Sequence, residues 1–175
     1  CVTSGPGLIG GLLSGVMFAK GLAKGLNKPI VGVNHLAAHC FSVKMIHNLA
    51  CPYLTLLVSG GHCQFLIVKG VDSFYRLGGT IDDAPGECFD KIASFLGIGY
   101  PGGPLIETRS KNGNEERFNF PKPMYDSTFN MSFSGLKTAV KRETENLIKK
   151  QGGLYQKDIN DICASFQKTA TEIFK

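Results

Sequence analysis

The chain has 175 residues, of which 43% are hydrophobic and 19% are charged, so it can bury a sizeable core and is not intrinsically disordered. The net charge is +5, and residues 1–70 contain no Asp or Glu but five lysines and all four histidines. Two interpretations fit this asymmetry: an apolar packing segment with solvated lysines, or a face that meets a polyanion. The six cysteines lack a C-x-x-C pair, which indicates reduced thiols in a cytosol-like compartment.

The termini indicate an internal piece of a longer protein, because the chain begins at Cys1 and stops at Lys175 within a helical pattern. The apolar stretch 7–19 is too short to span a bilayer and lacks the layout of a signal peptide. We therefore expect no membrane segment.

Residues 5–29 predict a glycine-rich turn followed by an apolar helix that ends near Asn27 and Pro29. The turn matches G-x-G-x-x-G, but a Rossmann site needs an acidic residue about 20 positions later, and none precedes Asp72. The glycines are therefore predicted to serve turning and close packing. Residues 29–33 predict a short buried strand.

The stretch VGVNHLAAHC places His35 and His39 four residues apart in a helix that Asn34 can cap. This spacing puts both imidazoles on one helix face, about 5–6 Å apart at Cβ, where they can share a metal. The zinc motif H-E-x-x-H has a glutamate base where Leu36 stands here. The alternative is a polar helix face without metal. A carboxylate ligand would have to come from far away in sequence.

Pro52 begins a new unit in which residues 53–59 and 62–69 predict two strands and 74–82 a third. The helix that follows, 82–97, has a proline in its first turn and a glycine past its end. Three strands followed by helices predict an α/β fold.

Gly60 and Gly61 separate the first two of these strands and predict a two-residue turn with positive φ. Ser59 and His62 add polar groups at the same tip. Consecutive glycine N–H groups can form a cradle for an anion, and no Cβ blocks a phosphate there. The alternative is that the pair is only a turn.

Glu87 and Asp90 lie three residues apart and share a face near the start of the predicted helix. They either complement the helix dipole or accept hydrogen bonds from a ribose diol. Beyond them, we predict a tight turn at 100–104 and an irregular polar insertion at 107–130. Two helices complete the pattern, one beginning at Ser134 and one capped by Asp158.

Six motifs occur together along the chain: GPGLIGGLLSG, NHLAAH, LLVSGGHCQF, TIDDAPGECFDKIASFLG, YPGGP and MSFSGLKTAVK. In this order they resemble the TsaD family of tRNA N6-adenosine threonylcarbamoyltransferases, formerly called O-sialoglycoprotein endopeptidases or glycoproteases (Gcp-like domain). The resemblance covers essentially all residues and is strongest to the bacterial branch. It implies a two-lobed α/β fold shared with actin, sugar kinases and heat-shock chaperones. Residues 1–50 would finish the first lobe and 51–175 would begin the second, with the site in the cleft between lobes.

The resemblance implies transfer of threonylcarbamoyl from an adenylate to N6 of the adenosine 3′ of the anticodon, in tRNAs that read codons beginning with A, with release of AMP. It also implies TsaB- and TsaE-like accessory proteins, which load the adenylate and help dock tRNA, and a bacterial cytoplasmic location, with the mitochondrion as the alternative.

By motif, His35 and His39 resemble the family's metal ligands, for one divalent ion per subunit, with Fe²⁺ favoured and Zn²⁺ as the alternative. The family's third ligand, an aspartate, lies outside this chain. The positions that resemble the family's substrate-binding residues are Leu57, Val58, Ser59, Gly60, Gly61, Asp90 and Gly103.

The chemistry of this transfer explains the missing glutamate base. The attacking atom is an amine and AMP is a good leaving group, so a metal acting as Lewis acid suffices without a protein nucleophile. A base that activates water would favour wasteful hydrolysis. The alternatives are a metallopeptidase, which lacks its base here, and a non-catalytic paralogue.

Overall fold

The computed structural model describes residues 1–124 and 129–175, which form two compact units. One unit comprises residues 1–57 and 66–75, and the other comprises 58–65 and 76–175. The described residues are mixed α/β, with small sheets and six α-helices. None of the described helices combines the length and the apolar character that a membrane span requires.

The first unit opens with a β-α-β arrangement. Strand β1 (Val2–Gly5) pairs in parallel with β2 (Gly32–Asn34), and helix α1 (Ile9–Gly25) connects them. The predicted helix is confirmed, whereas β1 was not predicted and β2 begins later than expected. A four-residue strand has too little periodicity to be recognised, and β1 is defined by its pairing with a segment far away in sequence.

Helix α2 (His35–Ser42) follows β2 directly and carries both histidines of the pair. The Ala37 backbone N–H donates to Asn34 Oδ1 at 3.0 Å, which confirms the predicted N-cap. A short 3₁₀ turn (Val43–Met45) ends this helical segment. Cys40 of α2 packs in the small core of the first unit, together with Leu57, Leu66 and Val68.

The three predicted strands are present as β3 (Tyr53–Val58), β4 (Cys63–Gly70) and β5 (Ser73–Gly79), in the order β3-β4-β5. The predicted helix after them is α3 (Pro85–Phe95), with proline in its first turn. Gly97 lies just past its end in the left-handed region, at φ 67°, where glycine is favoured.

Three more helices complete the second unit: α4 (Gly102–Ser110), α5 (Ser134–Gln151) and α6 (Gln156–Glu172). The start of α5 is confirmed. Asp158 lies in the first turn of α6, not before it, and its carboxylate accepts the Tyr155 backbone N–H at 3.2 Å. These helices and α3 surround the larger core, which includes Ile92, Ile106, Phe133, Leu136, Ile162 and Phe166.

The predictions for residues 100–130 were partly wrong. Helix α4 begins where a tight turn was expected and extends into the predicted irregular insertion. Two glycines and a proline at its start give little local helical preference, so packing against α3 and α6 decides its form. Residues 125–128 of the insertion lie outside the described residues.

The rest of the insertion is fixed to α6 by Arg117. Its guanidinium donates to Asp158 at 2.6 Å and to Asp161 at 2.7 Å, and both carboxylates are buried. Burial favours a raised pKa for Asp158, but hydrogen bonds from Gln151 and Arg117 outweigh it and hold that pKa below its ordinary value. Burial also favours a raised pKa for Asp161, but hydrogen bonds from the Arg117 side chain and the Asn114 backbone outweigh it and lower that pKa.

Candidate functional site

The hairpin between β3 and β4 ends in a tip formed by residues 59–62. The Ser59 backbone N–H donates to the His62 carbonyl at 2.8 Å, and the His62 N–H donates to Ser59 Oγ at 3.0 Å. The prediction of positive φ was wrong, because neither Gly60 nor Gly61 lies in that region. The Ser59 hydroxyl supplies a local bond that shapes the turn instead. Both glycines are exposed, and a Cβ on either would meet nothing within 4 Å.

The first turn of α3 lies against this tip. The Glu87 backbone N–H donates to the Gly60 carbonyl at 3.2 Å. A Cβ built on Gly86 would lie 2.7 Å from Gly60 Cα, closer than real Cβ contacts come. The glycine required for close approach is therefore Gly86, which the sequence analysis did not single out.

Asp90, one turn further along α3, accepts the Gly102 backbone N–H on Oδ1 at 2.7 Å. The carboxylate thus satisfies an N–H in the first turn of α4, and its second oxygen has no hydrogen bond to the described residues. Gly102 is buried against the backbone of Phe89, whereas the space around a Cβ on Gly103 is open. The structure therefore joins Asp90 to Gly102, the residue that precedes the predicted site position Gly103 in the first turn of α4.

The remaining predicted positions differ in what they can offer a ligand. The Leu57 side chain is only 7% exposed and belongs to the core of the first unit, so only its backbone is available. Val58 is 49% exposed. Glu87 pairs with Lys91 at 3.3 Å, which agrees with a solvated face of α3.

Two acids stand before α3, and the sequence marked Asp83 only as a residue near the helix start, without predicting the partners of either acid. Asp82 accepts the Ser132 hydroxyl at 2.5 Å and the Phe133 backbone N–H at 2.8 Å, which caps α5. Asp83 pairs with Lys91 at 2.7 Å and also with Lys137. Burial of Asp83 is outweighed by hydrogen bonds from these lysines, which lower its pKa. Consecutive aspartates before a helix were the available signal, but only Lys91 lies nearby in sequence, whereas Ser132, Phe133 and Lys137 are 50 to 54 residues away.

Helix α2 holds the two rings of the histidine pair close together. The ring centroids of His35 and His39 lie 4.5 Å apart with planes at 70°. Two imidazole donors at this separation fit two positions of a metal's coordination sphere. Among residues 1–124 and 129–175, no group of three His, Cys, Asp or Glu residues could hold a metal. The described chain therefore offers two donors of a possible set.

Together these features define a mixed α/β protein with a helical histidine pair and a glycine hairpin seated on a helix. A family model described as "tRNA N6-adenosine threonylcarbamoyltransferase" matches residues 1–175. The chain belongs to this family, TsaD, as its motifs indicated.

Curated relatives agree with this family. Each of the following is named tRNA N6-adenosine threonylcarbamoyltransferase and is aligned over 173 residues, 98% of this chain. The protein of Jannaschia sp. (strain CCS1) is 58% identical and 48% of it is covered. The protein of Cereibacter sphaeroides (strain KD131) is 57% identical, with 48% covered, and that of Paracoccus denitrificans is 56% identical, with 49% covered. The chain thus spans about half the length of the curated relatives it matches.

Proposed function

We propose that this chain is part of a transferase that moves threonylcarbamoyl from threonylcarbamoyl-adenylate to N6 of the adenosine 3′ of the anticodon. The substrates would be tRNAs that read codons beginning with A, and AMP would be released. The names of the relatives support this activity. The proposal includes the two-lobed actin-like fold, a cytoplasmic location, and TsaB- and TsaE-like proteins that load the adenylate and help dock tRNA.

The observation that carries the proposal is the arrangement around α3. The open glycines of the tip lie at its first turn. Asp90 lies one turn later, and one of its carboxylate oxygens has no hydrogen bond to any residue in 1–124 or 129–175. An adenylate has a phosphate that suits backbone N–H groups and ribose hydroxyls that suit a carboxylate. A carboxylate would repel the phosphate, so we assign Asp90 to the ribose and the Gly60–Gly61 amides to the phosphate.

His35 and His39 would hold one divalent metal, with Fe²⁺ favoured and Zn²⁺ as the alternative, and a third ligand would come from outside the described residues. When bound, such an ion supplies Lewis-acid polarisation of an oxygen. Leu36 stands where the zinc motif H-E-x-x-H has its glutamate, so no carboxylate at that position activates water. Hydrolysis of the adenylate is therefore not promoted at the expense of attack by the amine. The remaining residues of the proposed site would orient the adenylate and its leaving group.

The test uses the full-length protein with threonylcarbamoyl-adenylate and a tRNA transcript, and mass spectrometry of the digested nucleosides. We expect threonylcarbamoyladenosine with the wild type. His39→Ala should lose metal and transfer together while it still binds AMP, because the adenylate contacts are separate. His47→Ala, an exposed histidine outside the pair, is the matched control and should behave as wild type.

Two results would contradict the proposal. A folded, metal-loaded wild type that leaves adenosine unmodified would refute the transferase function. A metal-free His39→Ala protein that modifies tRNA at the normal rate would refute the role of the histidine pair alone.

A further inference from the structure

The start of α3 is held by contacts that bind it to the rest of its unit. The Asp83 carboxylate, 15% exposed, pairs with Lys91 on α3 and with Lys137 on α5. The Thr80 hydroxyl donates to the Asp83 carbonyl at 2.8 Å. Ala84, the N-cap residue of α3, is 3% exposed. This helix start is therefore packed and charge-paired, and it resists displacement.

The hairpin tip, in contrast, has room to move. A Cβ on Gly60 or Gly61 would meet no atom within 4 Å, and both residues are exposed. Ser59 and His62 bond to each other within the tip. Among the residues that the structure describes, one backbone bond, from the Glu87 N–H to the Gly60 carbonyl, ties the tip to α3.

Gly86 lies where the fixed helix start meets the movable tip. A Cβ at this position would lie 2.7 Å from Gly60 Cα and 3.4 Å from both the Gly60 nitrogen and oxygen. At 2.7 Å one of the two backbones must shift, since neither atom belongs to a flexible side chain. Because the helix start is anchored and the tip is open, the tip is the part that yields.

We propose that Gly86 is a positioning residue for nucleotide binding: the absence of a side chain there sets where the hairpin tip presents its amides to the adenylate phosphate. This inference rests on the proposed function, because it gives the tip its ligand. It places the strict requirement for glycine on α3, at a residue that does not itself touch the ligand. The hairpin's own glycines are needed for ligand access, and Gly86 for tip placement.

Gly86→Ala should leave the protein folded, weaken the bond between the Glu87 N–H and Gly60, and move the tip. Loss of one amide hydrogen bond to the charged phosphate corresponds to about a 10-fold loss of affinity or more, so we expect AMP affinity to fall by about 10-fold or more. Gly153→Ala is the matched control, because a Cβ at Gly153 meets nothing within 4 Å and no positive φ is required there.

The experiment combines AMP titration, thermal melting and hydrogen–deuterium exchange at the Glu87 amide in full-length protein. Support requires a folded Gly86→Ala protein with faster Glu87 exchange and weakened AMP binding, while Gly153→Ala matches wild type. AMP affinity equal to wild type in Gly86→Ala would overturn the inference and leave the proposed function intact. Failure of Gly86→Ala to fold would also overturn it, since the helix start and not the tip would then have yielded. Unchanged exchange at Glu87 in Gly86→Ala would independently refute displacement of the tip. A wild type that binds no AMP would instead count against the proposed function.

Discussion

Replacement of Arg117 by Met should destabilise the protein more than the loss of an exposed ion pair does. Its guanidinium bridges two carboxylates of α6, Asp158 and Asp161, which are only 5% and 2% exposed. Methionine keeps most of the side-chain volume but donates no hydrogen bond. The substitution would therefore leave two buried charges with one fewer donor each.

The magnitude follows from this partial loss. Removing one partner of a buried ion pair costs about 3–5 kcal/mol. Asp158 retains Gln151 at 2.7 Å and Asp161 retains the Asn114 N–H at 2.7 Å, and the Arg117 side chain is 32% exposed. We therefore expect the lower end of the range, about 3 kcal/mol in the free energy of unfolding. At about 2 °C per kcal/mol for a larger protein, the melting temperature should fall by about 6 °C.

The assay is thermal melting of full-length wild type, Arg117→Met and Lys111→Met, followed by circular dichroism. Lys111 is the matched control, since it pairs with Glu107 at 3.5 Å with both side chains more than half exposed. Its loss should cost less than about 0.5 kcal/mol. Equal shifts for the two variants would refute the argument that burial gives Arg117 its importance.

Three further predictions concern the same unit. The pKa values of Asp158 and Asp161 are lowered in the folded protein, so their ionised forms stabilise the fold above the ordinary carboxyl pKa, and this contribution is lost as pH falls through the lower folded pKa values. The free energy of unfolding at acid pH should therefore depend less on pH in Arg117→Met than in wild type. Equal pH slopes for the two proteins would contradict this. Asp90→Ala should weaken AMP binding and lower stability by about 1.5–3 kcal/mol, whereas Asp90→Asn, which can still accept from Gly102, should retain most stability in a denaturation assay. Three buried thiols should react slowly in timed alkylation at pH 8, because burial raises the pKa of Cys63 to about 11 and the pKa values of Cys88 and Cys163 to about 12. Labelling of these three thiols as fast as that of Cys1 and Cys51 would refute this prediction.

Local signals in the sequence determined most of the secondary structure. Asn34 and Pro85 mark true helix starts, because a cap or a proline acts on the few residues beside it. The strands around Gly60 and Gly61 were predictable because apolar, β-prone runs separated by two glycines need no distant partner to be recognised. The histidine pair follows from helical geometry once α2 is given.

Tertiary structure decided what depends on partners distant in sequence. Strand β1 exists through its pairing with β2, and α4 through its packing on α3 and α6. The tip's backbone conformation comes from the Ser59 hydroxyl, although its glycines alone predicted positive φ. Asp90 was predicted to meet a ribose, but its bond to Gly102 became visible only when α3 and α4 were packed together. The need for glycine at position 86 has the same origin: no local rule forbids a side chain there, and only the approach of another backbone does.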